Sequence, residues 1–312
     1  MFGFDELHVG STEDREGITG CTAIIFEGGA GASADVRGAS PGTRELALLA
    51  PDKQMDRIDA IILTGGSAYG LAAATGAMRF LSEHGMGYKT PWKTVPIVPA
   101  AVIFDLNIGS PDRFPDDRMG YLACVAAMRD EFRKGSHGAG TGATVGKWSG
   151  IENAMKAGQG VGIVESEGIR VVALAVTNAV GDVLDASGHV LAGAFVSGKF
   201  VSDTPRESAR IPKRALPGVN TTLVTVITNV DLTKTELNRI AQRSHDALAK
   251  RIVPVHTSYD GDTVFAVSAG SVKAPLDLVA SLAVDAVSDA IIDAVKSAES
   301  LGGFPSYSDL HK

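Results

Sequence analysis

A mixed α/β fold, with β-sheet sandwiched between layers of helix, is what this sequence predicts, and three observations carry it. Short runs rich in Val, Ile and Thr alternate with longer, Ala-rich runs of helical period. Glycine, 36 residues in all, clusters between these runs and forms no repeat. No internal period or low-complexity linker divides the 312 residues, so they are read as one domain.

Taken in order, CTAIIFEG (21–28) and IDAIILTGG (58–66) read as strands closed by glycine. AYGLAAATGAMRFLSEHG (68–85) reads as an Ala-rich helix stopped by Gly85. TVPIVPAAVIFDL (94–106) is extended, its prolines keeping it from being a regular central strand. DDRMGYLACVAAMRDEF (116–132) is helical, with Asp116 and Asp117 suited to the first turn. IRVVALAVTNAVGDVLD (169–185) gives a strand, a turn at Asn178 to Gly181, and a second short strand. Residues 196–220 are polar, charged and carry three prolines, as a mobile loop does. That loop delivers the chain to a strand at 223–230. Thr233 and Glu236 then stand at capping-box spacing, and Leu237, Ile240, Ala241, Ala247, Leu248 and Ile252 share one helical face. TVFAVSAG (263–270) is another strand, and 276–301 a long, buried helix ended by Gly302 and Gly303. Strand order is not readable at this level.

The composition, 45% apolar and 21% charged, supplies a core of ordinary globular size. A net charge of -7 argues against nucleic acid or an anionic membrane as partner. Cys21 and Cys124 are too few for a disulfide framework and read as small buried residues in a reducing compartment. Residues 1–17 are acidic and lack the basic start and apolar core of a signal peptide. The apolar run at 276–295 carries Asp277, Asp285, Asp289 and Asp293, which a membrane span does not tolerate. A soluble, cytoplasmic protein is the expectation.

Several motifs fail on inspection. GAGTGA (138–143) fits a dinucleotide-binding glycine pattern, but EFRKGSH and not a strand precedes it. GATVGKW (142–148) is one residue short of a P-loop and has Trp148 where Ser or Thr belongs. GGSAYG (65–70) has Tyr69 where a nucleophile elbow needs Gly. With no H-E-x-x-H and no paired Cys/His cluster, no metal site is expected.

Asn220-Thr221 at the mouth of an apolar strand is the pattern that holds. An N-terminal threonine carries both a nucleophilic hydroxyl and an α-amine of pKa near 8 that takes or relays its proton. Inside a chain, such a terminus arises when the hydroxyl breaks the preceding peptide bond through an N-to-O acyl shift. Asp260 and Asp262 flank a glycine just ahead of the next strand. Two close carboxylates do not both ionise easily, so one is pushed towards proton transfer at higher pH. Taken alone, the same three residues also read as an Asp-Gly turn.

NTTLVTVITNV (220–230), ELNRIAQRSHDAL (236–248) and HTSYDGDTVFAV (256–267) together resemble the nylon-oligomer (6-aminohexanoate oligomer) hydrolases. These belong to the self-cleaving β-aminopeptidase/D-aminopeptidase family of N-terminal-nucleophile hydrolases. GGSAYGLAAATG, AVIFDL, GAGTGATVGK and VTNAVGDVLD follow in the family's order, so the resemblance covers nearly the whole chain. It implies a four-layer αββα sandwich cut between Asn220 and Thr221 into fragments 1–220 and 221–312 that stay together. It implies that Thr221 is the nucleophile, carrying the acyl-enzyme, and that Asp262, paired with Asp260, activates its hydroxyl. Asn178 would donate its side-chain amide to the oxyanion, and Lys147 would supply a positive field. Tyr69 and Phe104 would line the substrate pocket, although a core aromatic is an equal reading of Tyr69. Phe104 departs from the family, which carries tyrosine there.

The resemblance further implies no metal, no organic cofactor and a homotetramer of cleaved heterodimers. The substrate class it implies is a small amide: β-peptides, short α-peptides, or 6-aminohexanoate oligomers. Asp105, Asp260 and Asp262 are candidates to hold a substrate ammonium. Two other classes stay open: an acyltransferase of the ornithine-acetyltransferase type, which transfer to ornithine or glutamate would reveal, and a catalytically retired binding protein of the same fold.

Overall fold

The computed structural model of the protein describes residues 1–201 and 220–310. Among them, nine strands join in one mixed sheet, of which eight, with four helices, build the layers. In chain order these are β1 (Leu7–Asp14), β2 (Thr19–Val36), β3 (Arg57–Thr64), α1 (Ala73–Glu83), β4 (Ala100–Val102), α2 (Asp117–Ala127), β5 (Gln159–Ser166), β6 (Ile169–Asn178), β7 (Thr221–Val230), α3 (Lys234–Arg251), β8 (Thr263–Val272) and α4 (Leu276–Lys296). The hydrogen-bonded order is β5-β6-β7-β8-β2-β3-β4, closed by the short strand Thr43–Arg44, with β1 also on β2. The β7–β8 and β3–β4 pairs are parallel and the others antiparallel.

β2 turns this single sheet into two layers. Its first part, Thr19 to Phe26, pairs with β1, and its last part, Gly31 to Val36, pairs with β8 on the same edge. Between them Gly28 and Gly29 take φ of +81° and +76°, and the register to β3 shifts between Ile25 and Ala30. Two successive left-handed residues are open to glycine at little cost, and a bulge of this kind bends a strand sharply.

Side-chain alternation then assigns the faces. Val172, Leu174 and Val176 of β6, Leu223 and Ile227 of β7, and Phe265 and Val267 of β8 meet Ile24, Phe26, Ile61, Leu63 and Ile103 between the two sheet layers. The alternate residues Val171, Ala173, Val224, Val226, Val264 and Ala266 face α3 and α4. On the far side, Cys21, Ala23, Ile25, Ala60 and Ile62 face α1 and α2. The result is the expected four-layer αββα sandwich, with each large apolar side chain so buried contributing about 1.5–3 kcal/mol.

Local expectations fare unevenly. The capping box of α3 is present, with Thr233 accepting from the Glu236 amide, and its predicted apolar face is buried. The predicted helix 68–85 is broken: a turn at Ser67–Gly70 precedes α1, because Gly70 packs against the Gly65 carbonyl with no room for a side chain. α2 stops at Ala127 and α4 at Lys296, each five residues before its predicted end. β1 and β5 were not anticipated. β7 begins at Thr221, two residues before the predicted strand. Of the predicted loop 196–220, the start forms a hairpin (Phe195–Val196 with Lys199–Phe200), and most of the rest lies outside the described residues. No helix among the described residues is long and apolar enough to cross a membrane.

Candidate active site

Three strand ends converge at one edge of the inner layers. β7 starts at Thr221, which stands opposite Asn178, the last residue of the antiparallel β6. On the other flank β8 runs parallel to β7, and the residues just before it, Asp260 to Asp262, lie beside Asn220 in a parallel bridge. Register alone therefore brings Asn178, Asn220, Thr221, Asp260 and Asp262 together. All five are buried, with Thr221 at 4% exposure.

Thr221 Oγ1 donates to the Asn220 carbonyl oxygen at 2.5 Å. The same oxygen accepts the Gly261 N–H at 2.8 Å. The carbonyl preceding Thr221 is thus polarised from one side by a backbone amide and touched from the other by the hydroxyl. Glycine is required at 261, since a Cβ there would lie 2.8 Å from Thr221 Oγ1 and 2.7 Å from the Ser40 carbonyl.

The two carboxylates have separate partners. Asp262 Oδ1 accepts the Thr222 N–H at 2.7 Å, and its Oδ2 meets His256. Asp260 Oδ2 accepts the Thr257 hydroxyl at 2.6 Å and the Thr257 N–H at 3.0 Å, while Oδ1 accepts the Val180 N–H at 3.2 Å. Burial, with the nearby Asp262 charge second, raises the Asp260 pKa to about 6 despite those donors.

Asn178 is the hub of the opposite flank. Its Oδ1 accepts from Lys147 Nζ at 2.8 Å and from the Thr144 N–H at 3.0 Å, and Lys147 also reaches the Asn178 backbone carbonyl at 3.0 Å. Its Nδ2 donates to the Phe104 carbonyl at 3.1 Å. An amide has two such hydrogens, and Asn178 uses one of them in this contact. Lys147 is fully buried, and desolvation lowers its pKa to about 7, with Asp260 and Asp105 pulling the other way.

The glycine-rich stretch 138–146 serves this hub. Lys156 Nζ, also buried, donates to the carbonyls of Gly140, Ala143 and Ala157 and so fixes the loop that presents Thr144 and Lys147 to Asn178.

The side chains of the remaining sequence candidates make no hydrogen bond within the cluster. Phe104 takes part through its backbone carbonyl, which any residue would supply, and its half-buried phenyl brings no donor. Asp105 is buried, its two oxygens accepting the Thr19 hydroxyl and the Gly66 N–H, each at 2.7 Å. Tyr69 is 62% exposed and stacks on Phe114 at 4.8 Å, which removes the core reading of it. Sequence reasoning missed Gly261, Thr257, Thr144 and His256. Three of them lie inside the HTSYDGD stretch, where attention to side-chain acids alone passed over the backbone amide and the imidazole. Among the described residues, no group of three or more His, Cys, Asp or Glu is placed to hold a metal ion.

Comparison with known proteins identifies the family and the fold. The model of peptidase family S58 matches residues 4–307. An uncharacterised aminopeptidase of Mycobacterium leprae is 38% identical over 92% of this chain and 85% of its own length. A 6-aminohexanoate-oligomer endohydrolase of a Kocuria species is 33% identical over 88% of this chain and 76% of its own. The solved L-aminopeptidase D-Ala-esterase/amidase of Ochrobactrum anthropi, a variant of the Ntn hydrolase fold, superposes with a TM-score of 0.72 at 20% identity, covering 97% of this chain and 87% of that one. On the family match and these relatives, the chain belongs to peptidase family S58.

Proposed function

We propose that this hydrolase of amide bonds is a self-processing N-terminal-threonine enzyme with Thr221 as nucleophile. The observation that carries the reading is the contact of the Thr221 hydroxyl with the Asn220 carbonyl, 2.5 Å from its oxygen, under the Gly261 amide. Attack by Oγ1 on the Asn220 carbonyl carbon closes a five-membered ring. The carbon–nitrogen bond then breaks, the nitrogen becomes the α-amine of Thr221, and water hydrolyses the resulting ester. Fragments 1–220 and 221–312 stay together, because β7 and β8 lie in the middle of the sheet and their apolar faces are shared with both layers. The cut protein then turns the same hydroxyl on a substrate amide, forming an acyl-enzyme on Thr221 with the α-amine as proton carrier. Asn178 offers its free amide hydrogen to the oxyanion, and Asp260 and Asp262 order the residues beside the nucleophile.

Short peptides, β-peptides and 6-aminohexanoate oligomers are the substrate classes this reading favours, by likeness to the aminopeptidase and endohydrolase relatives. A homotetramer of cleaved units belongs to the same reading. A reducing, cytoplasmic setting suits the two buried free thiols, Cys21 and Cys124. The test is the intact mass of the purified protein under denaturing conditions. Two fragments meeting at 220/221 are expected, and a single full-length chain would overturn self-processing.

Two further outcomes follow from the geometry. Gly261→Ala places a methyl carbon against Thr221 Oγ1 and the Ser40 carbonyl, so precursor is expected to accumulate. A time course of denaturing gels checks this, and cleavage at the wild-type rate would show that the site accommodates the methyl and that glycine is not required at 261. Base catalysis needs deprotonated acceptors, and Asp260, at about 6, loses its proton just below the range in which the α-amine begins to. The kcat/KM is therefore expected to rise between pH 5 and 8. A profile flat from about pH 6 to 9 would exclude these groups as proton carriers.

A further inference from the structure

His256 engages Asp262 twice. Its ring Nδ1 lies 2.7 Å from Asp262 Oδ2, and its backbone N–H donates to the same oxygen at 3.2 Å. Asp262 Oδ1 is meanwhile held by the N–H of Thr222, the residue after the proposed nucleophile. The carboxylate is therefore stretched between His256 on one side and the start of β7 on the other. His256 reaches this position in a left-handed conformation, φ +52°, uncommon for a residue other than glycine though histidine adopts it more readily than most.

The rest of the imidazole has little polar business. Nε2 is buried and has no hydrogen-bond partner among the described residues. The ring packs edge-on against His245 of α3, with centroids 4.8 Å apart. His245 in turn directs its Nε2 to the Asp35 carbonyl at 3.2 Å and leaves Asp262 to His256. A side chain present only to fill this space would not need nitrogen. Its one polar contact in the site is with Asp262.

We propose that His256 is a positioning residue, whose Nδ1–H pins Asp262 against the Thr222 amide and so sets the first residues of β7 for attack by Thr221. Within the acidic pair, Asp262 is then the acceptor that orders the strand start. The proposal rests on the reading of Thr221 as nucleophile.

The test compares wild type, His256→Asn, His256→Gly and Thr221→Ala. Readouts are intact mass and steady-state hydrolysis of alanine p-nitroanilide and of a linear 6-aminohexanoate oligomer. Both Asn and Gly accept the left-handed backbone, but only Asn restores an N–H donor near Nδ1. His256→Gly is expected to lower kcat by about 10- to 100-fold, the size of one lost hydrogen bond to a carboxylate, with KM within about twofold. His256→Asn is expected to keep kcat within about threefold of wild type. A Gly variant with wild-type kcat, or an Asn variant that folds but falls as far as Gly, overturns the proposal. Where Gly does not fold, Asn decides by itself: a kcat within threefold supports the contact and a larger fall overturns it. A Thr221→Ala protein that still hydrolyses the substrates removes the nucleophile reading instead, whatever the His256 variants do.

Discussion

Thr221→Ala is expected to leave the chain in one piece and to abolish amide hydrolysis. The substitution removes a hydroxyl and a methyl from a buried position at the head of β7, where backbone pairing to β6 and β8 continues unchanged. The fold should therefore survive while the chemistry stops. Loss of the nucleophile in a serine hydrolase costs about 10⁶-fold in kcat, and a loss on that order is expected here. Denaturing mass spectrometry reads the first effect and p-nitroanilide release the second. An uncut chain with wild-type turnover would separate processing from catalysis. A cut chain would show that another group attacks the Asn220 carbonyl.

Asn178→Ala is expected to lower kcat by about 10²- to 10³-fold, as removal of an oxyanion donor does elsewhere. Here the cause is compound. Asn178 is the cross-strand neighbour of Thr221, and opposed residues of an antiparallel pair project from the same face. Removing its amide also strips the Thr144 N–H and the Lys147 ammonium of an acceptor inside the protein. A buried donor left unpaired costs about 1–3 kcal/mol, so the melting temperature should fall as well. Asn178→Asp retains the acceptor for Lys147 and Thr144 but offers no amide hydrogen to an oxyanion or to the Phe104 carbonyl. Stability above that of Asn178→Ala with kcat still depressed is the expected result. Recovery of both would assign Asn178 to the scaffold alone.

The His256 and Gly261 contacts show why the nearest neighbours of a nucleophile are hard to read from residue types. Asp260, Asp262, Asn178, Lys147 and Thr221 are chemically conspicuous, and patterns around them mark strand ends. A backbone amide has no signature in the sequence, and Gly261 looks like a turn glycine until a Cβ is placed on it and meets Thr221. His256 is visible in the sequence, but its importance depends on a left-handed backbone and a loop that doubles back on Asp262.

The linear order of residues was enough for the strand behind Thr221, the capping box and apolar face of α3, the long helix α4 and the placing of Asn220-Thr221 and Asp260-Gly261-Asp262 at strand mouths. Those features depend on neighbours within a few residues, through helical period, capping and turn chemistry. The sharing of β2 between two layers, the parallel pairing of β7 with β8 and the facing of Asn178 and Thr221 belong to the folded molecule. β6 and β7 are buried on both faces, so nearly every residue in them is apolar or threonine, and no alternation marks which side meets the other sheet and which meets the helices. That choice, and with it the meeting of three distant strand ends around one hydroxyl, comes from packing two bent sheet layers between helices, a cooperative fit of long-range contacts that no short window of sequence contains.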